Sequence, residues 1–182
     1  MRKTVLTLSI LGTMIFAMAV SAAAPTNFGG TWVLDKSKSQ GLDQGMQNAE
    51  SVAWVITQDD KQITIETKLT GGQPAGGGPG TGGGGGGGRG GGFGGPRTYT
   101  LDGKEVTTEN QRGTSSMKST WSGDGKTLEL TTVRAGNFNG NEFKATTTDK
   151  LSLSGDGKVL TVKRNGESPR GPIDATLVFT KQ

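Results

Sequence analysis

The chain has 182 residues, of which 30% are hydrophobic and 20% are charged, and it contains neither His nor Cys. The absence of both residue types excludes Ser-His-Asp and Cys-His catalysis, His- or Cys-ligated metal sites and disulfide bonds. Twenty Lys and Arg against 16 Asp and Glu leave a formal charge of +4, too small to indicate a nucleic-acid partner.

Residues 1–23 have the pattern of a secretory signal peptide. Arg2 and Lys3 precede an apolar run from Val5 to Val20, and the small residues that follow supply a cleavage site. The run is short for a membrane span, and no later segment approaches that length. We therefore expect an exported protein, periplasmic or secreted, in which residues 24–182 form one domain without an integral membrane span.

Short β-strands are predicted from the start of this domain. The first strand opens at Gly30-Thr31-Trp32, and residues 36–50 then interrupt the alternation. Within that segment Leu42, Met46 and Ala49 have the spacing of one helical face. The segment is expected to form a short helix or a long loop over one end of a barrel.

The next two strands are predicted at 52–56 and 63–69, with a turn at 59–61 between them. The segment from Gly71 to Gly95 follows, and 18 of its 25 residues are Gly. Because Gly brings no side chain to offset the entropy of ordering its backbone, we expect a disordered, Gly-rich loop inserted in the domain.

Three similar Asp-Gly-Lys sequences occur in the second half of the chain, beginning at Asp102, Asp124 and Asp156. Asp tolerates the left-handed region and Gly adopts positive φ at little cost, so each sequence predicts a hairpin turn. Strands are expected before and after each turn. With the earlier strands they predict an all-β fold, a single antiparallel up-and-down meander that closes into a barrel of about 8–10 strands.

Six side chains are the candidate lining of this barrel and the candidate ligand-binding residues. Asp149 interrupts an inward apolar row from Phe143 to Leu153, so it is either an interior polar group or the site of a bulge. The aromatic residues of the strands are either core or the wall of a ligand cavity. The candidates are Trp32, Trp54, Tyr99, Trp121, Phe143 and Asp149.

Two short motifs resemble known sites but lack the required context. Gly125-Lys126-Thr127 ends like a P-loop, although a strand follows where phosphate binding needs a helix N-terminus. Ser115 and Lys118 have the spacing of serine acylases without the partner motifs. We therefore expect no cofactor, no metal and no catalytic residue. A carboxylate-based enzyme, with Asp149 as its first suspect, is the least favoured hypothesis.

Gly30-Thr31-Trp32 resembles the Gly-x-Trp signature that opens lipocalins and related calycins, and Thr148-Asp149-Lys150 partly resembles the Thr-Asp-x element of the same superfamily. The order of elements is similar to that of a bacterial exported lipocalin-like protein. This resemblance implies a barrel that binds small apolar or amphipathic molecules. It also implies a basic residue, Arg164 or Arg170, that packs on the Trp of the first strand.

The leading hypothesis is an exported barrel that binds a small hydrophobic or amphipathic molecule. The alternative is a structural or interaction module of the cell envelope that takes no small ligand. No nucleic-acid partner is expected, and the sequence leaves the oligomeric state open.

Overall fold

The fold is described from a computed structural model, which covers residues 24–71, 95–110, 113–138 and 141–182. The predicted signal peptide and all but the two end residues of the predicted Gly-rich loop lie outside these ranges. None of the helices in the described ranges has the length and apolar character needed to cross a bilayer.

The described residues form ten β-strands and one short α-helix. In chain order they are β1 (Gly30–Leu34), α1 (Gln44–Asn48), β2 (Ser51–Gln58), β3 (Gln62–Thr70), β4 (Arg97–Thr100), β5 (Val106–Asn110), β6 (Gly113–Trp121), β7 (Thr127–Phe138), β8 (Asn141–Leu153), β9 (Val159–Ser168) and β10 (Gly171–Lys181).

All of these strands belong to one antiparallel sheet in the order β4-β3-β2-β1-β10-β9-β8-β7-β6-β5. Pairing of β1 with β10 joins the two ends of the chain. The sheet curls so that β4, at one edge, approaches β6, the second strand from the other edge, and the Ser119 hydroxyl of β6 donates a hydrogen bond to the Thr100 carbonyl of β4 at 2.5 Å. The predicted meander is therefore confirmed as a nearly closed, ten-stranded barrel.

Two of the three Asp-Gly-Lys sequences form the same hairpin turn. In the turn between β6 and β7, the Ser122 hydroxyl donates to Asp124 at 2.6 Å and accepts from the Thr127 amide at 2.9 Å. The turn between β8 and β9 repeats both bonds at the same distances around Asp156. Gly125 and Gly157 have φ near +70°, which is why Gly follows Asp in both turns.

The remaining Asp-Gly-Lys sequence, at Asp102, does not connect two paired strands, so the hairpin predicted there was wrong. β4 pairs with β3, whereas β5 pairs with β6, so this turn crosses the gap in the barrel. The local turn chemistry is nevertheless the same, since the Lys104 amide donates to the Asp102 carboxylate at 3.0 Å. A turn sequence determines the local backbone, but the partner of each strand depends on distant residues.

One end of the barrel, here named the closed end, is filled by the segment that precedes β1. Phe28 is fully buried and stacks on Trp121 with ring centroids 6.0 Å apart. The Gln58 side chain holds this segment by accepting from the Phe28 amide and donating to the Thr26 carbonyl. The Trp32 indole donates to the Phe28 carbonyl at 2.8 Å. These contacts leave the closed end packed with side chains.

Trp32 is covered by a different cation from the one expected. The Lys181 ammonium lies 5.2 Å from the centroid of the Trp32 ring, so neither Arg164 nor Arg170 has that role. The reason is the register, in which Lys181 of β10 pairs directly with Trp32 of β1.

At the opposite end, here named the open end, α1 forms the expected short helix. Asp43 caps it by accepting from the Met46 amide at 2.9 Å, and Met46 and Ala49 are buried. The loop before the helix passes close to β10 at Gly41, which has φ +67°. A Cβ on Gly41 would lie 2.1 Å from the Asp174 carbonyl oxygen, so only Gly fits there.

Candidate functional site

A cavity of about 440 Å³ occupies the open end of the barrel, beneath Met46 of α1. Its mouth is formed by residues that are exposed to solvent, among them Gly41, Asp43, Pro169 and Arg170. Inside, the wall combines apolar side chains with guanidinium groups. The apolar part consists of Met46, Phe143, Ala145, Ile173, Ala175 and Leu177, and the cations inside are Arg97, Arg134 and Arg164.

Two of these arginines share a buried carboxylate. Arg164 binds Asp149 through two hydrogen bonds, Nε to Oδ1 at 2.7 Å and Nη2 to Oδ2 at 2.8 Å. Arg97 approaches the same carboxylate with 3.6 Å between Nη1 and Oδ2. The exposed fraction of the Asp149 side chain is 2%, and that of each arginine is 14%. Asp149, Arg97 and Arg164 are named the ion triad below.

The guanidinium of Arg164 is suited to this geometry because a guanidinium and a carboxylate can form two parallel hydrogen bonds. Burial lowers the pKa of Arg164, but the hydrogen bonds and charge of Asp149, together with the charge of Asp43, outweigh burial and raise the pKa above its usual value. Arg164 therefore stays charged. The register of β8 runs without interruption on both sides of Asp149, so Asp149 is an interior polar group and not a bulge.

Trp54 forms the floor beneath the ion triad. The guanidinium carbons of Arg97 and Arg164 lie 5.6 Å and 5.8 Å from the centroid of its ring, which is within the range of cation–π attraction. The Phe179 ring packs against Trp54 with centroids 4.8 Å apart. The Trp54 indole nitrogen is buried and has no hydrogen-bond partner within the part of the chain that the structure describes.

The polar wall of the cavity continues towards the gap in the barrel. The Tyr99 hydroxyl of β4 forms a hydrogen bond of 2.7 Å with the Thr132 hydroxyl of β7, and Thr132 lines the cavity. This bond links strands that are far apart in the order of the sheet. It therefore helps to hold the barrel closed beside the cavity.

The six predicted site residues occupy three different positions. Phe143 lines the cavity. Trp54, Tyr99 and Asp149 lie directly behind the wall, where each contacts a side chain that does line it. Trp32 and Trp121 belong to the packed closed end. Whether any of the six binds a ligand stays a prediction.

The three arginines inside the cavity were not among the predicted site residues. The alternation of the strands contains the signal that identifies them. Arg97 is two residues from the inward Tyr99, Arg134 continues the inward row of Leu128, Leu130 and Thr132, and Arg164 continues that of Leu160 and Val162. A long cation that continues an inward row of a strand forms the polar wall of the cavity.

The arrangement does not resemble a metal centre or an acid–base pair. The described residues include no group of three or more acidic, His or Cys side chains close enough to hold a metal ion. Asp149 is the one carboxylate among the buried polar residues of the described ranges. Because two arginines surround it, its geometry is that of a structural ion cluster behind the cavity wall.

Comparison with known proteins finds distant similarity to solved structures. No family model and no curated protein matches the chain. Among solved structures, the barrel is similar to the crystal structure of zebrafish ileal bile acid-binding protein complexed with cholic acid. The two chains are 11% identical, with a TM-score of 0.40, over 85% of this chain and 98% of the other. The fold assigned above rests on the strand register alone.

Proposed function

We propose that this protein binds a small amphipathic molecule in the cavity at the open end of its barrel. The observation that carries the proposal is the cavity itself, about 440 Å³ with an apolar wall and a few convergent polar groups. Small-molecule sites have volumes of about 300–1,000 Å³ and this same composition. On the basis of its N-terminal residues, we further propose that the protein is exported, as a periplasmic or secreted binding protein; its resemblance to bacterial exported lipocalin-like proteins supports a bacterial one.

The two ends of the barrel support binding at one end only. The closed end is filled by Phe28 and Trp121, and Gln58 holds the segment that carries Phe28. The open end is covered by a single short helix. Met46 of that helix contributes to the cavity wall. A ligand would therefore enter between the loop that carries Asp43 and the turn that carries Arg170.

The wall is also divided in a way that fits an amphipathic molecule. Phe143, Ile173 and Leu177 provide an apolar surface, which stabilises a hydrophobic group by about 25 cal/mol for each Å² removed from water. Guanidinium groups only donate hydrogen bonds, and among those inside the cavity Arg134 has no carboxylate partner in the described part of the chain. A ligand with a polar group can supply that partner.

The test uses the neutral apolar dye N-phenyl-1-naphthylamine, whose fluorescence rises when it leaves water. Titration of the purified protein should give a saturable signal at one site per chain. Binding should also raise the stability by RT ln(1 + [L]/Kd), about 2.7 kcal/mol at 100 times the dissociation constant.

The variant Ala145→Phe places a ring in the cavity and should abolish the saturable signal. Its matched control is Lys144→Phe, because Lys144 precedes Ala145 on β8 and is exposed. Equal dye binding by the two variants, or no saturable binding by the unaltered protein, would contradict the proposal.

A further inference from the structure

The charges that face the cavity are strongly unbalanced. Four arginines line it, and Asp43 is the only acidic residue in the lining that the structure describes. Asp149, directly behind the wall, adds a second negative charge. Four positive and two negative charges leave an excess of two positive charges around a cavity with an apolar wall. The electrostatic potential inside therefore favours an anion.

The arginines that line the cavity differ in whether their guanidinium groups already have an anionic partner. Arg164 donates two hydrogen bonds to Asp149, and Arg97 forms an ion pair with the same carboxylate. Both also lie over the Trp54 ring. Their positions are thus determined by the ion triad, and together with Asp149 they retain a net charge of +1.

Arg134 differs from these two because it has no carboxylate partner among the described residues. Its side chain is half-buried at the end of the inward row of β7, directly opposite Ala145 on β8. A guanidinium offers five donors and cannot lose its charge. Keeping such a group in a partly desolvated cavity is costly unless an anion accompanies it.

The acidic residue at the mouth, Asp43, does not provide that anion. Asp43 is exposed, and one of its oxygens already accepts from the Met46 amide at the start of α1. Arg170 is exposed on the turn between β9 and β10 and adds a further positive charge at the entrance. The polar end of a ligand therefore meets cations from the entrance to the interior.

We infer that the molecule bound in this cavity is an acidic amphiphile, whose anionic headgroup binds Arg134 while its apolar body packs on Met46, Phe143 and Ile173. This inference rests on the proposed function and adds the sign of the headgroup and the residue that receives it. The shared chemistry is one negative charge, carried by a carboxylate or a sulfate, at the end of a hydrophobic chain.

The test compares ligands of one chain length by isothermal titration calorimetry at pH 7.5. The ligands are decanoate, decyl sulfate, decanol and decyltrimethylammonium, each below its aggregation concentration. A hydrogen bond to a charged group corresponds to a preference of about 10- to 100-fold. Decanoate and decyl sulfate should bind more tightly than decanol by that factor, and the cationic ligand should bind most weakly. Raising the salt concentration should reduce the preference.

A pair of variants then assigns the preference to a residue. Arg134→Gln should remove most of the difference in affinity between decanoate and decanol, and Arg134→Lys should restore part of that difference. The control Lys163→Gln removes an exposed cation from β9 and should leave the difference unchanged.

The possible results separate the two claims. Equal affinities for decanoate and decanol would overturn the inference but leave the proposed function standing. Failure of all four ligands and of the neutral dye to bind would overturn both. A preference for the anions that Arg134→Gln and Lys163→Gln reduce equally would overturn the assignment to Arg134. Because the ligand comparison uses the unaltered protein, it decides the sign of the headgroup even if a variant does not fold.

Discussion

Neutralising the carboxylate of the ion triad should destabilise the barrel more than breaking any exposed ion pair. The substitution Asp149→Asn keeps the shape of the side chain but leaves Arg97 and Arg164 facing an uncharged group. Both arginines are 14% exposed, so water compensates them poorly. Removing one partner of a buried ion pair costs about 3–5 kcal/mol, and we expect the free energy of unfolding to fall by that amount.

The two arginines should contribute unequally, because their contacts with the carboxylate differ. Arg164→Met removes two short bonds and leaves Asp149 with Arg97 at 3.6 Å, so it should cost about 2–3 kcal/mol. Arg97→Met leaves the two-bond pair intact and should cost about 1 kcal/mol, close to one cation–π contact and a weak ion pair. The expected order of destabilisation is Asp149→Asn, then Arg164→Met, then Arg97→Met.

Urea unfolding, followed by far-UV circular dichroism, measures these differences. With a denaturant dependence of about 2 kcal/mol per molar, Asp149→Asn should lower the midpoint by about 1.5–2.5 M. The control is Glu129→Gln, which breaks the pair with Lys150 on the outer face, where the side chains are 39% and 53% exposed. That change should cost less than about 1 kcal/mol. An effect of Asp149→Asn no larger than that of Glu129→Gln would show that the ion triad does not stabilise the barrel.

Two further predictions concern the turns and the loop of the open end. Hydrogen bonds to carboxylates in turns lower the pKa of five Asp residues, two of them to about 2; the five are Asp35, Asp59, Asp102, Asp124 and Asp156. Because these groups protonate at a lower pH in the folded state than in the unfolded chain, the protein should lose stability as the pH falls from about 4 towards 2. A urea midpoint that rises on acidification over this range would contradict this prediction. Gly41→Ala should lower the free energy of unfolding by about 1–3 kcal/mol and weaken dye binding, because the new Cβ would meet the Asp174 carbonyl at a positive φ. The control in the same urea experiment is Gly155→Ala, since nothing lies within 4 Å of its new Cβ. Equal losses of stability for the two variants would show that the contact at Gly41 is unimportant.

The strands and most turns were predictable because they depend on neighbours in the sequence. Alternation of apolar and polar residues indicates a half-buried strand wherever it occurs, as in Ile63–Leu69. The two Ser-Gly-Asp-Gly-Lys turns carry their whole hydrogen-bond pattern within six residues. The short helix at Gln44–Asn48 was likewise indicated by the spacing of its apolar residues.

The gap in the barrel and the position of the cavity were not predictable in the same way. The turn at Asp102 is chemically like the other two, yet the strands beside it pair elsewhere. The cavity is lined where small residues pair with long cations across neighbouring strands, Ala145 with Arg134 and Ala175 with Arg164. That coincidence depends on the register of strands far apart in the chain, and no local pattern reports it.

The cation over Trp32 illustrates the same limit. A basic residue on the first-strand Trp was expected from the resemblance, and one is present, but it is Lys181. Arg164 instead covers Trp54 and binds Asp149. Which of several cations reaches a given ring depends on pairings at opposite ends of the chain, such as Trp32 with Lys181.

The central claim, a single ligand site at the open end, is tested most directly by native mass spectrometry of the protein purified from the cells that produce it. We expect one small-molecule adduct per chain, which Lys144→Phe should retain and Ala145→Phe should lack. An adduct that persists on Ala145→Phe would place the binding elsewhere, and a spectrum of unliganded chains alone, even after addition of decanoate, would contradict the claim.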